Sequence, residues 1–85
     1  MPDNMITPKE SMYNGLASLG WEEVNTYSGV ITMKKQRDDV QAIVVLDEKE
    51  VSLDIEDDET VLLSKDFAYD ATPEEIDETF MNMKI

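Results

Sequence analysis

Two strings of the same form, Thr7-Pro8-Lys9-Glu10 and Thr72-Pro73-Glu74-Glu75, stand near opposite ends of an 85-residue chain and constrain its fold more than any other feature. Each offers a capping threonine, a proline at the first helical position and a glutamate at the third. Proline tolerates only the first turn of a helix, so each string marks where a helix must begin. The first helix is expected over about Pro8 to Ser18, with Met12, Leu16 and Leu19 on one face and Ile6 packing on its first turns. Gly20 is placed to take the left-handed conformation that ends it, and Trp21 follows as a lid over the helix end. The second is expected over about Pro73 to Lys84, with Ile76, Phe80 and Met83 as its apolar stripe. Its acids Glu74, Glu75, Asp77 and Glu78 crowd the first turns, where the helix dipole favours anions by about 0.3–1 kcal/mol each.

Between the helices the pattern changes to strands. Val30-Ile31-Thr32-Met33 reads as one, closed by the polar turn Lys34 to Asp39. Val40 to Leu46 is apolar on both faces, which suits a central strand covered at least partly on each side. Val51 to Glu56 alternates, with Val51, Leu53 and Ile55 facing in and Ser52, Asp54 and Glu56 facing out. Glu22 to Thr26 and Thr60 to Ser64 each offer a short extra strand. The expected fold is therefore α+β: an N-terminal helix, a three- to four-stranded antiparallel sheet and a C-terminal helix. A chain this short reads as a single domain over 1–85, with residues 1–6 flexible.

Charge is distributed unevenly. Residues 1–37 carry four basic and four acidic groups, whereas 38–85 carry three basic and sixteen acidic ones, which accounts for the whole net charge of −13. Such a field repels nucleic acid and anionic membranes and attracts basic proteins or cations; excess carboxylate is equally a common route to solubility. No apolar run approaches the ~20 residues that span a bilayer, and the first residues lack the basic and apolar regions of a signal peptide. A cytoplasmic location is expected.

Histidine and cysteine are absent, which removes imidazole bases, thiolate nucleophiles, disulfides and nitrogen- or sulfur-ligated metals. Of the three glycines, none forms a phosphate-binding loop. The acidic run from Asp54 resembles the start of a calcium loop, but the required glycine is Glu59 and the closing acid is Lys65. No cofactor, metal or catalytic residue is expected. A paired-carboxylate enzyme would need a pocket holding an acid of raised pKa.

What remains is a surface. Asp54, Glu56, Asp57, Asp58, Glu59, Glu74, Glu75, Asp77 and Glu78 would face a partner together if the third strand and its following turn lay beside the second helix. Phe67 and Tyr69, in an expected loop from Asp66 to Asp70, are candidate anchors and equally candidate caps on the core. Strand carboxylates two residues apart are about 6.6–7 Å apart, much like successive phosphates of one DNA strand. Assembly through homo-oligomerisation, by a strand edge or by Met81, Met83 and Ile85, is the alternative.

In length, element order and charge, the chain resembles the small acidic accessory proteins encoded by phages and prophages of Gram-positive bacteria. The resemblance covers most of the length. It rests on Leu19-Gly20-Trp21-Glu22-Glu23 closing a first helix, on short charged hairpins, and on the terminal Thr-Pro-Glu-Glu helix. It implies a non-enzymatic protein acting in the host cytoplasm. Some such proteins, anti-CRISPR and uracil-glycosylase inhibitors among them, mimic nucleic acid and block a host protein's nucleic-acid site. For those the implied partner is a basic protein that binds nucleic acid; many others of the class have no known function, and for them the resemblance implies no mimicry. The resemblance assigns no functional residue by position.

Overall fold

The computed structural model describes residues 7–58 and 60–83. Both capping strings start helices where the sequence places them. Helix α1 spans Pro8–Ser18, and the Thr7 hydroxyl accepts a hydrogen bond from the Glu10 backbone N–H. Helix α2 spans Pro73–Met81, and Thr72 does the same for Glu75. Glu10 does not reach back to the cap backbone; its carboxylate accepts from the Thr7 hydroxyl. After Leu19 caps α1, Gly20 turns the chain with a φ of 102°. The Trp21 amide then donates to the Leu16 carbonyl, closing the helix end.

Five strands follow α1: β1 (Glu22–Tyr27), β2 (Val30–Arg37), β3 (Val40–Leu46), β4 (Glu50–Asp57) and β5 (Thr60–Ala68). They form one antiparallel meander in the order β1-β2-β3-β4-β5. The described residues thus form an α+β fold with five strands, not three to four. Both flanking segments are full strands, and β5 runs through Asp66 and Phe67, which the sequence reading leaves in a loop. The two edge pairings carry the irregularities, between Glu23 and Asn25 on β1 and at Ile55/Glu56 against β5. Bulges at both edges twist the outer strands and blunt them against edge-to-edge association.

Burial shows which face is covered. Along β3, Val40, Ala42, Val44 and Leu46 are buried, while Gln41, Ile43 and Val45 are half-buried. Val51, Leu53 and Ile55 of β4 share the covered face through the β3–β4 register. Both helices contribute to the same core, α1 through Met12 and Leu16 and α2 through Ile76 and Phe80. Trp21, Met33 and Phe67 complete it. Among the described residues no polar or charged side chain is buried in that core. The apolar run of β3 is therefore covered by helices on one face only. The opposite face is open, and its apolar centre is Ile43 and Val45. Residues 1–6, Glu59 and Ile85, on which the flexible start, the Ile6 packing, one acidic site residue and one oligomer contact were expected, lie outside the described residues.

Candidate functional site

In an antiparallel meander, alternate turns emerge at the same end of the sheet. Here the β2–β3 and β4–β5 turns are such a pair, because Val40 is opposite Arg37 on one side and Asp57 on the other. Asp38, Asp39, Asp57 and Asp58 therefore lie side by side at one end, with Glu56 one residue behind. Asp38, Asp39 and Asp58 are exposed and Asp57 half-buried. Asp38 and Asp58 each have a φ of 55°, a conformation that aspartate tolerates better than most residues.

Among the described residues, the adjacent base forms no ion pair with these carboxylates. Arg37 reaches to the covered face, where its guanidinium donates to the carbonyls of Phe80, Met81 and Met83 at 3.3, 2.8 and 3.0 Å. Helix α2 has no basic residue in its last turn. Arg37 supplies from the sheet the cation that the helix terminus favours.

The other acids divide among separate surfaces. Asp54 and Glu56 lie on the open face, where Asp54 accepts a 2.7 Å hydrogen bond from the Ser64 hydroxyl. Glu74, Glu75, Asp77 and Glu78 belong to α2, on the covered side. Glu74, Glu75 and Glu78 are exposed there. Asp77 is engaged internally: one carboxylate oxygen accepts from Lys35 Nζ at 2.6 Å and from Trp21 Nε1 at 3.0 Å. The sheet thus separates Asp54 and Glu56 from the acids of α2, so the expected set does not share one face.

The aromatic candidates are bound up in packing. Phe67 is 7% exposed and in the core, with Lys65 Nζ 5.0 Å above its ring centroid. Tyr69 is half-buried and donates to the Asp47 carbonyl. Burial, with the nearby Asp47 charge, raises its phenol above the ordinary tyrosine range. Sequence reasoning omits Asp38 and Asp39 from the candidates. The signal that identifies them is the pairing of alternate hairpin turns, which follows once the meander is known.

A second carboxylate network ties α1 to β1. Glu23 accepts from the hydroxyls of Thr26 and Tyr13, and these hydrogen bonds, Thr26 first, hold its carboxyl below the usual range. The same contact raises the Tyr13 phenol. Shallow hollows mark the surface of the described residues. One, of about 280 Å³, is lined by Thr7, Pro8, Lys9, Glu48 and Tyr69. Another, of about 340 Å³, is lined by Gly20, Glu22, Lys34, Lys35 and Gln36. Each presents a single carboxylate. Among the described residues, no helix is long and apolar enough to cross a membrane.

No protein family matches the sequence, no curated protein is similar to it, and no solved structure matches its fold.

Proposed function

We propose that the protein is a non-enzymatic binding module that meets a basic surface of a partner protein with the acidic hairpin end of its sheet. The observation that carries this reading is the convergence of Asp38, Asp39, Asp57 and Asp58 at one end, with the neighbouring Arg37 turned away onto α2. Like charges held together cost free energy by mutual repulsion, so a counter-charged surface that relieves the repulsion gains doubly. Glu56 and Asp54 extend the acidic end along β4 in steps of about 6.6–7 Å, which is the spacing that supports nucleic-acid mimicry. Absence of histidine and cysteine and the single carboxylate in each hollow favour binding over catalysis. The likeness in size and charge to phage accessory proteins favours a nucleic-acid-binding partner in a host cytoplasm.

The test is capture from a lysate of the source cell at low and high salt, with the wild type and the Asp38→Asn/Asp39→Asn/Asp57→Asn/Asp58→Asn variant. Asparagine preserves the turn conformations and removes only charge. A captured basic protein should be lost at high salt, lost with the variant, and released by excess duplex DNA. Capture that is indifferent to both salt and the variant overturns the reading.

A further inference from the structure

The open face of the sheet has a pattern that matches itself. Register places Glu22, Lys34, Ile43, Asp54 and Ser64 in one row across all five strands. The next row is Asn25, Thr32, Val45, Ser52 and Asp66, and the row on the other side contains Gln36, Gln41 and Glu56. The apolar centre, Ile43 and Val45, lies on the middle strand and is half-buried. Proton donors stand mainly on the β1–β2 side and carboxylates mainly on the β4–β5 side.

From this we infer that the open face binds a second copy of the same chain, across a two-fold axis running along β3 between the two sheets. Two in-plane axes are available to a face-to-face pair. An axis crossing the strands stacks β4 on β4 and sets acid against acid. An axis along β3 stacks β2 of one copy on β4 of the other and keeps each row in line. Lys34 then meets Asp54, Gln36 meets Glu56, and Asn25 meets Asp66. Three of the five strand carboxylates on the face, Asp54, Glu56 and Asp66, are thus met by a donor, and Ile43 and Val45 meet their own copies. Aligned sheets pack about 10 Å apart, a distance that lysine and aspartate side chains bridge together, and the pairs on β2 and β4, next to the axis, are displaced least by sheet twist.

The size of the face sets the strength of the dimer. With strands ~4.8 Å apart and a rise of ~3.3 Å per residue, five strands cover roughly 20 by 20 Å. Two such faces bury roughly 800 Å², below the ~1,200 Å² at which stable specific interfaces begin. The dimer is thus weak and reversible. A net charge of −13 on each copy opposes association at long range, so screening by salt strengthens it. This sign is opposite to that expected for a basic partner, and the dimer needs no partner at all, so the two proposals fail independently. The same axis leaves the acidic hairpin ends of both copies at one end of the dimer.

The experiment is sedimentation equilibrium of the full chain from about 10 µM to about 1 mM at low and high salt, a range suited to a weak interface. The expected mass rises with concentration from 9.7 kDa toward twice that, more readily at high salt. Lys34→Asp and Asp54→Lys each place like charges opposite one another twice per dimer, and each should weaken association about tenfold or more. The double swap Lys34→Asp/Asp54→Lys should return it to within about threefold of wild type. A monomer at every concentration, or a dimer untouched by Lys34→Asp, or a double swap no better than the single changes, overturns the inference. Should a variant melt early, amide shifts of the wild type on dilution give the answer. Shifts at Ile43 and Val45 support the face, and shifts confined to the sheet edges or α2 exclude it.

Discussion

Trp21 Nε1 donates to Asp77 Oδ1 at 3.0 Å across a separation of 56 positions. Lys35 Nζ reaches the same oxygen at 2.6 Å and also donates to the Leu19 carbonyl. One carboxylate oxygen therefore joins the end of α1, the second strand and the second helix. The Trp21 and Phe80 rings pack 6.1 Å apart just beside this junction. An amphipathic helix as short as α2 is not stable alone. It is held by Ile76 and Phe80 below and by polar contacts at its middle, through Asp77, and at its finish, through Arg37.

Asp77→Ala removes the acceptor shared by the indole and the ammonium. Both side chains of the ion pair are mostly covered, at 17% and 14% exposure. The loss should be about 1–3 kcal/mol, the usual cost of leaving such donors unpaired. Asp77→Asn keeps an acceptor for the indole and should cost less. Urea unfolding with an unchanged m-value checks both, and equal stability of Asp77→Ala and wild type would refute the junction.

Gly15 offers a test of helix packing in which two effects have opposite signs. Within a helix, alanine is favoured over glycine by about 1 kcal/mol. A Cβ at Gly15, however, would overlap the ring of Pro73 at the start of α2. A proline ring cannot swing aside as a flexible side chain does. Forcing the helices apart costs about 1–3 kcal/mol, so Gly15→Ala should lower the melting temperature despite its better propensity.

The sequence is legible where one residue type has one use. Thr-Pro-x-Glu locates both helices, Gly20 and Trp21 the end of the first, and the alternation of Val51, Leu53 and Ile55 the inward face of β4. The edge strands are not legible in this way. Every residue of β1 is exposed, so it has no buried period to detect. Along β5 only Leu63 and Phe67 are even partly buried, with the charged Lys65 between them on the same face, and the irregularity opposite Ile55/Glu56 breaks the two-residue alternation. The charge imbalance is visible in the sequence, but its division between the two sides of the sheet depends on strand order and on which face the helices cover. Asp77 illustrates the point: as one of four acids in the first half of the helix it reads as solvated, and only the tertiary position of Trp21 and Lys35 shows otherwise.

Stability should fall at both extremes of pH, each for a separate reason. The Glu23 carboxyl is lowered in the folded state, chiefly by Thr26 and then Tyr13. Its contribution is complete above the unfolded value of about 4.3 and is lost as pH falls through the lower folded value. Tyr69 is raised by burial and then by Asp47. Its contribution is complete below the unfolded value of about 10 and disappears as pH rises through the higher folded one. Thr26→Ala should flatten the acid limb and Tyr69→Phe the alkaline limb. Melting temperatures across pH measure both, and a Thr26→Ala profile parallel to wild type at low pH would contradict the first.

The hairpin end combines backbone strain and charge repulsion, and substitutions can separate them. Asp58 sits at a φ of 55°, where a β-branched residue is penalised by about 1–2 kcal/mol. Asp58→Val should therefore destabilise, Asp58→Asn should hold the turn, and Asp58→Gly should be neutral or stabilising because glycine enters this region freely. Repulsion responds to a different variable. If Asp38, Asp39, Asp57 and Asp58 repel one another across the paired turns, replacing all four with asparagine should raise the melting temperature at low ionic strength. The gain should shrink as the screening length falls to about 10 Å near 0.1 M salt. A gain that persists in high salt would trace to turn geometry. No gain at low salt would show that these carboxylates are too well solvated to store repulsion, and would leave the proposed contact with a basic partner without its driving force.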